Sequence, residues 1–141
     1  MFVGAVGDRI GWRRIVTIFG TFGCAVATLI LYYVPLAVGN DFAVAVACAM
    51  LWGFMLAGYT PLPPLLLAMG KEEERGSAFA IYCLAAGLAT FVGPALVAVF
   101  QSGFGTKGVV WSLTALHLAS IPMGLSLRSD KDPEFRRKAD A

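Results

Sequence analysis

The sequence predicts an all-α membrane protein with four transmembrane helices and both termini in the cytoplasm. Three observations carry this. First, four stretches of the 141 residues contain no Asp, Glu, Lys or Arg: 15–40, 42–70, 76–106 and 108–127. Each is long enough to cross a hydrocarbon core, which takes about 20 mostly apolar residues. Second, charged residues make up 14% of the chain and hydrophobic ones 58%, whereas soluble domains are about 25% charged. Third, if successive stretches alternate in direction, the segments 1–14, 71–75 and 128–141 share one side and hold ten of the 11 Lys and Arg residues, leaving Lys107 alone opposite. The positive-inside rule places the richer side in the cytoplasm.

The spans are expected at about 15–38, 42–69, 78–101 and 109–127, between a cytoplasmic loop at 1–14 and a polar cytoplasmic tail at 128–141. Aromatic residues suited to the headgroup level flank them: Trp12 before the first, Tyr32 and Tyr33 toward its far end, and Phe104 and Trp111 around the second outer connection. The first apolar run is much longer than the core of a secretory signal, about 7–15 residues. A multi-pass membrane protein follows.

Lipid gives helices no hydrophobic reason to associate, so small residues must allow close packing. Rows at spacing four occur at Gly20 and Cys24, at Ala49, Gly53 and Ala57, and at Cys83 and Gly87. In the second span, Gly58-Tyr59-Thr60-Pro61-Leu62-Pro63-Pro64 contains three prolines, which leave the carbonyls of Ala57, Tyr59 and Thr60 without their helical donors. A broken helix at membrane depth is tolerated inside protein or beside a water-filled cavity. Two readings stay open: a cavity-lining kink with Tyr59 and Thr60 as polar contacts, or a bend at the cytoplasmic end. Gly93-Pro94 predicts a packing kink in the third span. Trp52, Tyr59, Thr60, Tyr82 and Thr90 are the candidates to line a substrate path.

Several functions are excluded. The basic residues are scattered in loops, which argues against a nucleic-acid interface. The three cysteines lie singly in apolar stretches and read as small hydrophobes, not as a metal site or disulfide framework. No spacing suggests a nucleophile with its base, a phosphate loop or a metal site, so neither an enzyme nor a cofactor is predicted. His117 is the one candidate for an intramembrane proton carrier; Ser120, three residues on, is its expected partner if it is structural. Glu72, Glu73 and Glu74 are expected to be solvated ahead of the third helix, complementing its positive end.

One pattern is specific. Gly4-Ala5-Val6-Gly7-Asp8-Arg9-Ile10-Gly11-Trp12-Arg13-Arg14 reads G-x-x-x-D-R-x-G-x-R-R and resembles the cytoplasmic-loop signature of the major facilitator superfamily of secondary transporters. The resemblance implies a gating role for Gly4, Asp8, Arg9, Gly11, Arg13 and Arg14, in a loop that locks the inward-closed state. In that family the signature follows the second and the eighth helix. The lack of charge in the span at 42–69 and the polar tail favour helices nine to twelve, a partial bundle. Residues 57–62, 71–80, 86–87 and 91–95 are similar to the matching region of bacterial polyol permeases, which carry ribitol or D-arabinitol with protons. The resemblance implies part of a symporter for a small hydrophilic solute, inactive without its missing N-terminal helices or a partner chain. It places the second and third spans on a central cavity. The alternatives are a four-helix accessory protein and a small multidrug exporter; the latter depends on an acidic residue in its first span, absent here.

Overall fold

The computed structural model describes residues 11–39, 41–69 and 72–126. Within them every regular element is helical. Helix α1 (Trp12–Ile15) runs directly into a π-helical segment, Val16–Gly23, and on into α2 (Cys24–Ala37). Helix α3 (Phe42–Leu56) is followed by a 3₁₀ turn, Ala57–Tyr59, and by α4 (Leu62–Met69). A second 3₁₀ turn, Glu72–Glu74, leads into α5 (Arg75–Ser126), which contains one residue with non-helical backbone, Gly105.

Among the described residues, three helical stretches are long and apolar enough to cross a membrane: Val16–Ala37, Phe42–Leu67 and Glu72–Ser126. The sequence led us to expect four. The difference lies at Gly105, whose φ of 63° and ψ of −169° break the helix within a single residue. A φ in that range is costly for any residue with a Cβ and costs glycine little. The chain turns there with no intervening loop, so two arms, 75–104 and 106–126, form one nearly continuous helix. The second arm runs antiparallel to the first stretch: Trp111 meets Tyr33 near one end and Gly124 lies over Thr17 near the other.

Local chemistry explains where elements begin. Asp41, the single charged residue between the first two stretches, caps α3: its Oδ1 accepts from the backbone N–H of Ala43 at 2.8 Å and of Val44 at 3.2 Å. Glu72 leans on Arg75 at 3.6 Å across the start of α5. Along α5 the backbone stays helical through Gly93 and Pro94.

The packed core is built around the first stretch. Ile15, Val16, Cys24, Ala25 and Ala27 are its buried apolar residues, accompanied by buried Thr17, Thr21 and Thr28. Each threonine hydroxyl of the latter pair donates to the carbonyl four residues back, Thr17 and Cys24 respectively. The polar atoms therefore cost little although water is excluded. Nearly half of the most apolar part of the first stretch is buried, about a tenth of the second, and none of the third. The small-residue rows divide in the same way. Gly20 and Cys24 are buried, whereas nothing lies within 4 Å of where a Cβ would stand on Gly53 or Gly87.

The first two stretches approach each other most closely at Gly58. A Cβ on Gly58 would stand 2.5 Å from the backbone nitrogen of Gly20 and 2.8 Å from Cβ of Phe19. Only glycine fits, so Gly58→Ala should cost about 1–3 kcal/mol through overpacking. Gly53→Ala on the open face of α3 should instead gain about 0.5–1 kcal/mol. Thermal unfolding in detergent, followed by helical circular dichroism, checks both signs.

Candidate functional site

The residues that drew attention in the sequence are distributed over three places. Of the signature, Gly4, Asp8 and Arg9 lie outside the described residues. Gly11 is buried with φ of 99°, a conformation that side-chain-bearing residues rarely adopt. Its carbonyl accepts from the N–H of Ile15 at 3.3 Å, so this glycine turns the chain into α1, the short helix that carries Arg13 and Arg14. Arg14 is exposed.

The second place is the proline-rich break after α3. The carbonyl of Ala57, which Pro61 deprives of its helical donor, accepts instead from the N–H of Thr60 at 3.1 Å. The 3₁₀ turn is the repair: it closes a shorter ring where the α-helical ring has lost its donor. Helix resumes with the N–H of Leu65 donating to the carbonyl of Pro61 at 3.0 Å. Pro61 is buried, Pro63 half-buried and Pro64 exposed. Gly58, at the centre of the turn, seats the break directly on the π-helical segment.

Tyr59 projects from that turn across the first stretch. Carbons of its ring lie 3.1–3.3 Å from where a Cβ would stand on Gly20, and its hydroxyl is 3.4 Å from Nδ1 of His117 on the second arm of α5. One side chain thus touches two other elements at a single depth. Ser120, expected as the partner of His117, donates instead to the carbonyl of Leu116 at 2.9 Å. One helical turn and more along α3, the Trp52 indole N–H donates to Thr28 Oγ1 at 3.1 Å. At the far end the Trp111 indole N–H donates to the Tyr33 hydroxyl at 3.1 Å. Two polar bridges therefore tie the first stretch to its neighbours, and the Tyr59–His117 pair ties those neighbours to each other.

The third place is the first arm of α5. Tyr82 is half-buried and stacks on Phe79, with ring centroids 6.2 Å apart. Thr90 is exposed and its hydroxyl lies 3.4 Å from the carbonyl of Ala86. Thr60 is exposed on the second stretch. Of the five candidates for a substrate path, Trp52 and Tyr59 contact the first stretch, Thr60 follows Tyr59 on the exposed side of the break, and Tyr82 and Thr90 lie on the first arm of α5. The His117 pairing escaped the sequence reading because it depends on how two distant helices are rotated. The scarcity of polar groups in the spans was the available signal.

Trp52 and Thr28 make the shortest side-chain bridge between the first two stretches. Interhelical hydrogen bonds in membranes average about 0.6 kcal/mol. A double-mutant cycle of Trp52→Phe with Thr28→Val should give a coupling of about that size, read from unfolding in mixed micelles.

Comparison with known proteins completes the picture. The family model described as Major Facilitator Superfamily matches residues 1–141. The alpha-ketoglutarate permease of Bacillus subtilis (strain 168) is 40% identical over 117 residues, 83% of this chain and 27% of that protein. The D-arabinitol transporter of Klebsiella pneumoniae is 33% identical over 135 residues, 96% of this chain and 31% of that protein. The ribitol transporter of the same organism is 35% identical over 118 residues, 84% of this chain and 27% of that protein. The chain thus spans less than a third of the length of these relatives. No solved structure matches.

Proposed function

The chain belongs to the major facilitator superfamily, and from that premise we propose that it forms helices nine to twelve of a twelve-helix secondary transporter for a small polyol. The family and the relatives are transporters, not enzymes. What carries the reading is the combination of a family match over the whole chain with two polyol transporters about three times its length.

In this reading the two arms of α5 are separate spans joined at Gly105, giving four in all. Both termini and the 71–75 loop face the cytoplasm of a bacterial cell, and the protein resides in the inner membrane. The basic residues of the signature hold the loop at the inner surface. Asp8, Arg9, Arg13 and Arg14 latch against the other half of the carrier when the inner gate is closed. Transport proceeds by alternating access, in which two six-helix halves rock about a central site. Four helices supply too little of either half to do so. The substrate path uses the open faces of the second and third spans, with Thr60, Tyr82 and Thr90 as its polar contacts. Protons couple the movement.

The alpha-ketoglutarate permease marks a second class of solute, a dianion. Residues 15–127 contain Lys71, Arg75 and Lys107 as their only cations, all between the charge-free stretches. A dicarboxylate buried at mid-membrane needs a paired cation, and this part of the carrier offers none there. A neutral polyol asks only for hydroxyl partners, which Thr60, Tyr82 and Thr90 supply, and this supports the polyol reading.

Orientation is checked by labelling with a membrane-impermeant maleimide. On a background without Cys24, Cys48 and Cys83, a cysteine at position 107 should react in intact cells, and one at position 73 only after lysis. Function is checked in proteoliposomes. This polypeptide alone should take up neither D-arabinitol, ribitol nor α-ketoglutarate. Joined to the preceding helices of a polyol transporter, it should restore saturable polyol uptake. Uptake by the chain alone, or restored uptake of α-ketoglutarate in place of polyol, would falsify the proposal.

A further inference from the structure

The two arms of α5 enclose a crevice of about 580 Å³ that plays no part in the proposed transport path. Leu96, Phe100 and Phe104 form one wall, and Trp111, Ala115 and Ala119 stand on the other. Its sides are almost wholly apolar and it opens to the surroundings. The few polar groups on it are already committed. Ser112 donates to the carbonyl of Val109 at 2.8 Å, and the Trp111 indole N–H is held by Tyr33 at 3.1 Å. Water inside would find no partners, so the occupant is hydrocarbon.

Length and width decide which hydrocarbon. The wall from Gly108 to Ala119 is about 16 Å long at 1.5 Å per residue, half of the roughly 30 Å hydrocarbon core. That is the depth of one leaflet. A helix with its side chains is about 10 Å across, whereas a single acyl chain is narrower. At the closed end the chain turns at Gly105, and there the polar residues collect: Gln101 donates to Thr106 at 3.3 Å, and exposed Lys107 stands directly beside the lining residue Gly108. Lys107 is the only Lys or Arg in 76–127. An apolar slot one leaflet deep, with one cation at its headgroup end, matches a phospholipid in both parts.

We propose that the crevice between the arms of α5 binds one phospholipid, its acyl chain lying between Phe100 and Trp111 and its phosphate held by Lys107, with preference for an anionic headgroup. The proposal uses the membrane setting and the turn at Gly105; it is independent of solute and of transport.

The test reads Trp111 directly. With Trp12→Phe and Trp52→Phe it is the only indole left of the three. The full chain is reconstituted in phosphatidylcholine vesicles containing increasing amounts of dibrominated phosphatidylglycerol or dibrominated phosphatidylcholine. A surface Lys is worth about a fivefold preference for anionic lipid. Half-maximal quenching should therefore come at about fivefold less phosphatidylglycerol than phosphatidylcholine. Lys107→Gln should abolish that difference, and Ala115→Leu, which narrows the slot, should weaken quenching by both lipids. Intact-mass spectrometry of the unsubstituted chain in detergent should show one phosphatidylglycerol retained in preference to phosphatidylethanolamine. Equal quenching by the two lipids with Lys107 in place would overturn the proposal. So would Trp111 emission indifferent to either lipid, the result expected if a protein segment or a second copy covers the crevice.

Discussion

The contact between Gly58 and the backbone of Gly20 is the constraint from which the arrangement of the chain follows. Inside lipid, two helices gain nothing by hiding apolar surface from each other, so dispersion contacts and a few hydrogen bonds must hold them together. Both fall steeply with distance. Bringing backbone against backbone is the way to maximise them, and a glycine at the crossing is the means. With that distance set, the Tyr59 ring reaches over Gly20, and its hydroxyl arrives beside His117. The indole of Trp52 falls within 3.1 Å of Thr28. A residue with any side chain at position 58 would push these bridges out of reach together.

Two irregular backbone segments of the fold meet at the same crossing. The π-helical segment, Val16–Gly23, the 3₁₀ turn, Ala57–Tyr59, and the proline that follows meet there. Each departs from the α-helix and leaves backbone groups needing new partners. In hydrocarbon such groups are expensive unless protein surrounds them. Packing the two irregular segments on each other lets one shield the other, and the Thr60-to-Ala57 hydrogen bond closes the gap opened by Pro61. The second arm of α5 runs antiparallel to the first stretch, from Tyr33 down to Thr17.

That the chain is helical, apolar and built to cross a membrane was legible because lipid imposes its demand on every residue of a span at once. A single Lys or Glu within 15–40 or 76–106 would have spoiled the pattern. The family was legible for a different reason. Gly4 to Arg14 is a short local pattern, and one of its glycines, Gly11, sits at a φ that explains why glycine is required. Contacts between helices were much less legible. Gly20 and Gly53 look alike in the sequence, yet one is buried under Tyr59 and the other faces open space. His117 and Ser120 are three residues apart and invited pairing, but on a helix a serine hydroxyl reaches its own backbone more readily than a neighbouring ring. Gly105 gave no signal of its own, since turning within one residue depends on the two arms having something to pack against.

Burial falls from the first stretch to the third, and the fall says what kind of object this polypeptide is. The first stretch has neighbours on two sides: α3 on one, the second arm of α5 on the other. The first arm of α5 has almost none. Its exposed residues include Phe79, Ile81, Leu84, Leu88 and Phe91, too large and too apolar for water. Lipid accommodates them without cost, so exposure alone does not destabilise the chain. It does mean that the small-residue row at Cys83 and Gly87, which allows close approach, is unused among the described residues. A helix whose close-packing face is open is held by its two ends. Those ends are the Glu72–Arg75 start and the turn at Gly105, so its position relative to the packed core is the least constrained feature of the fold and the one most readily set by whatever packs on it.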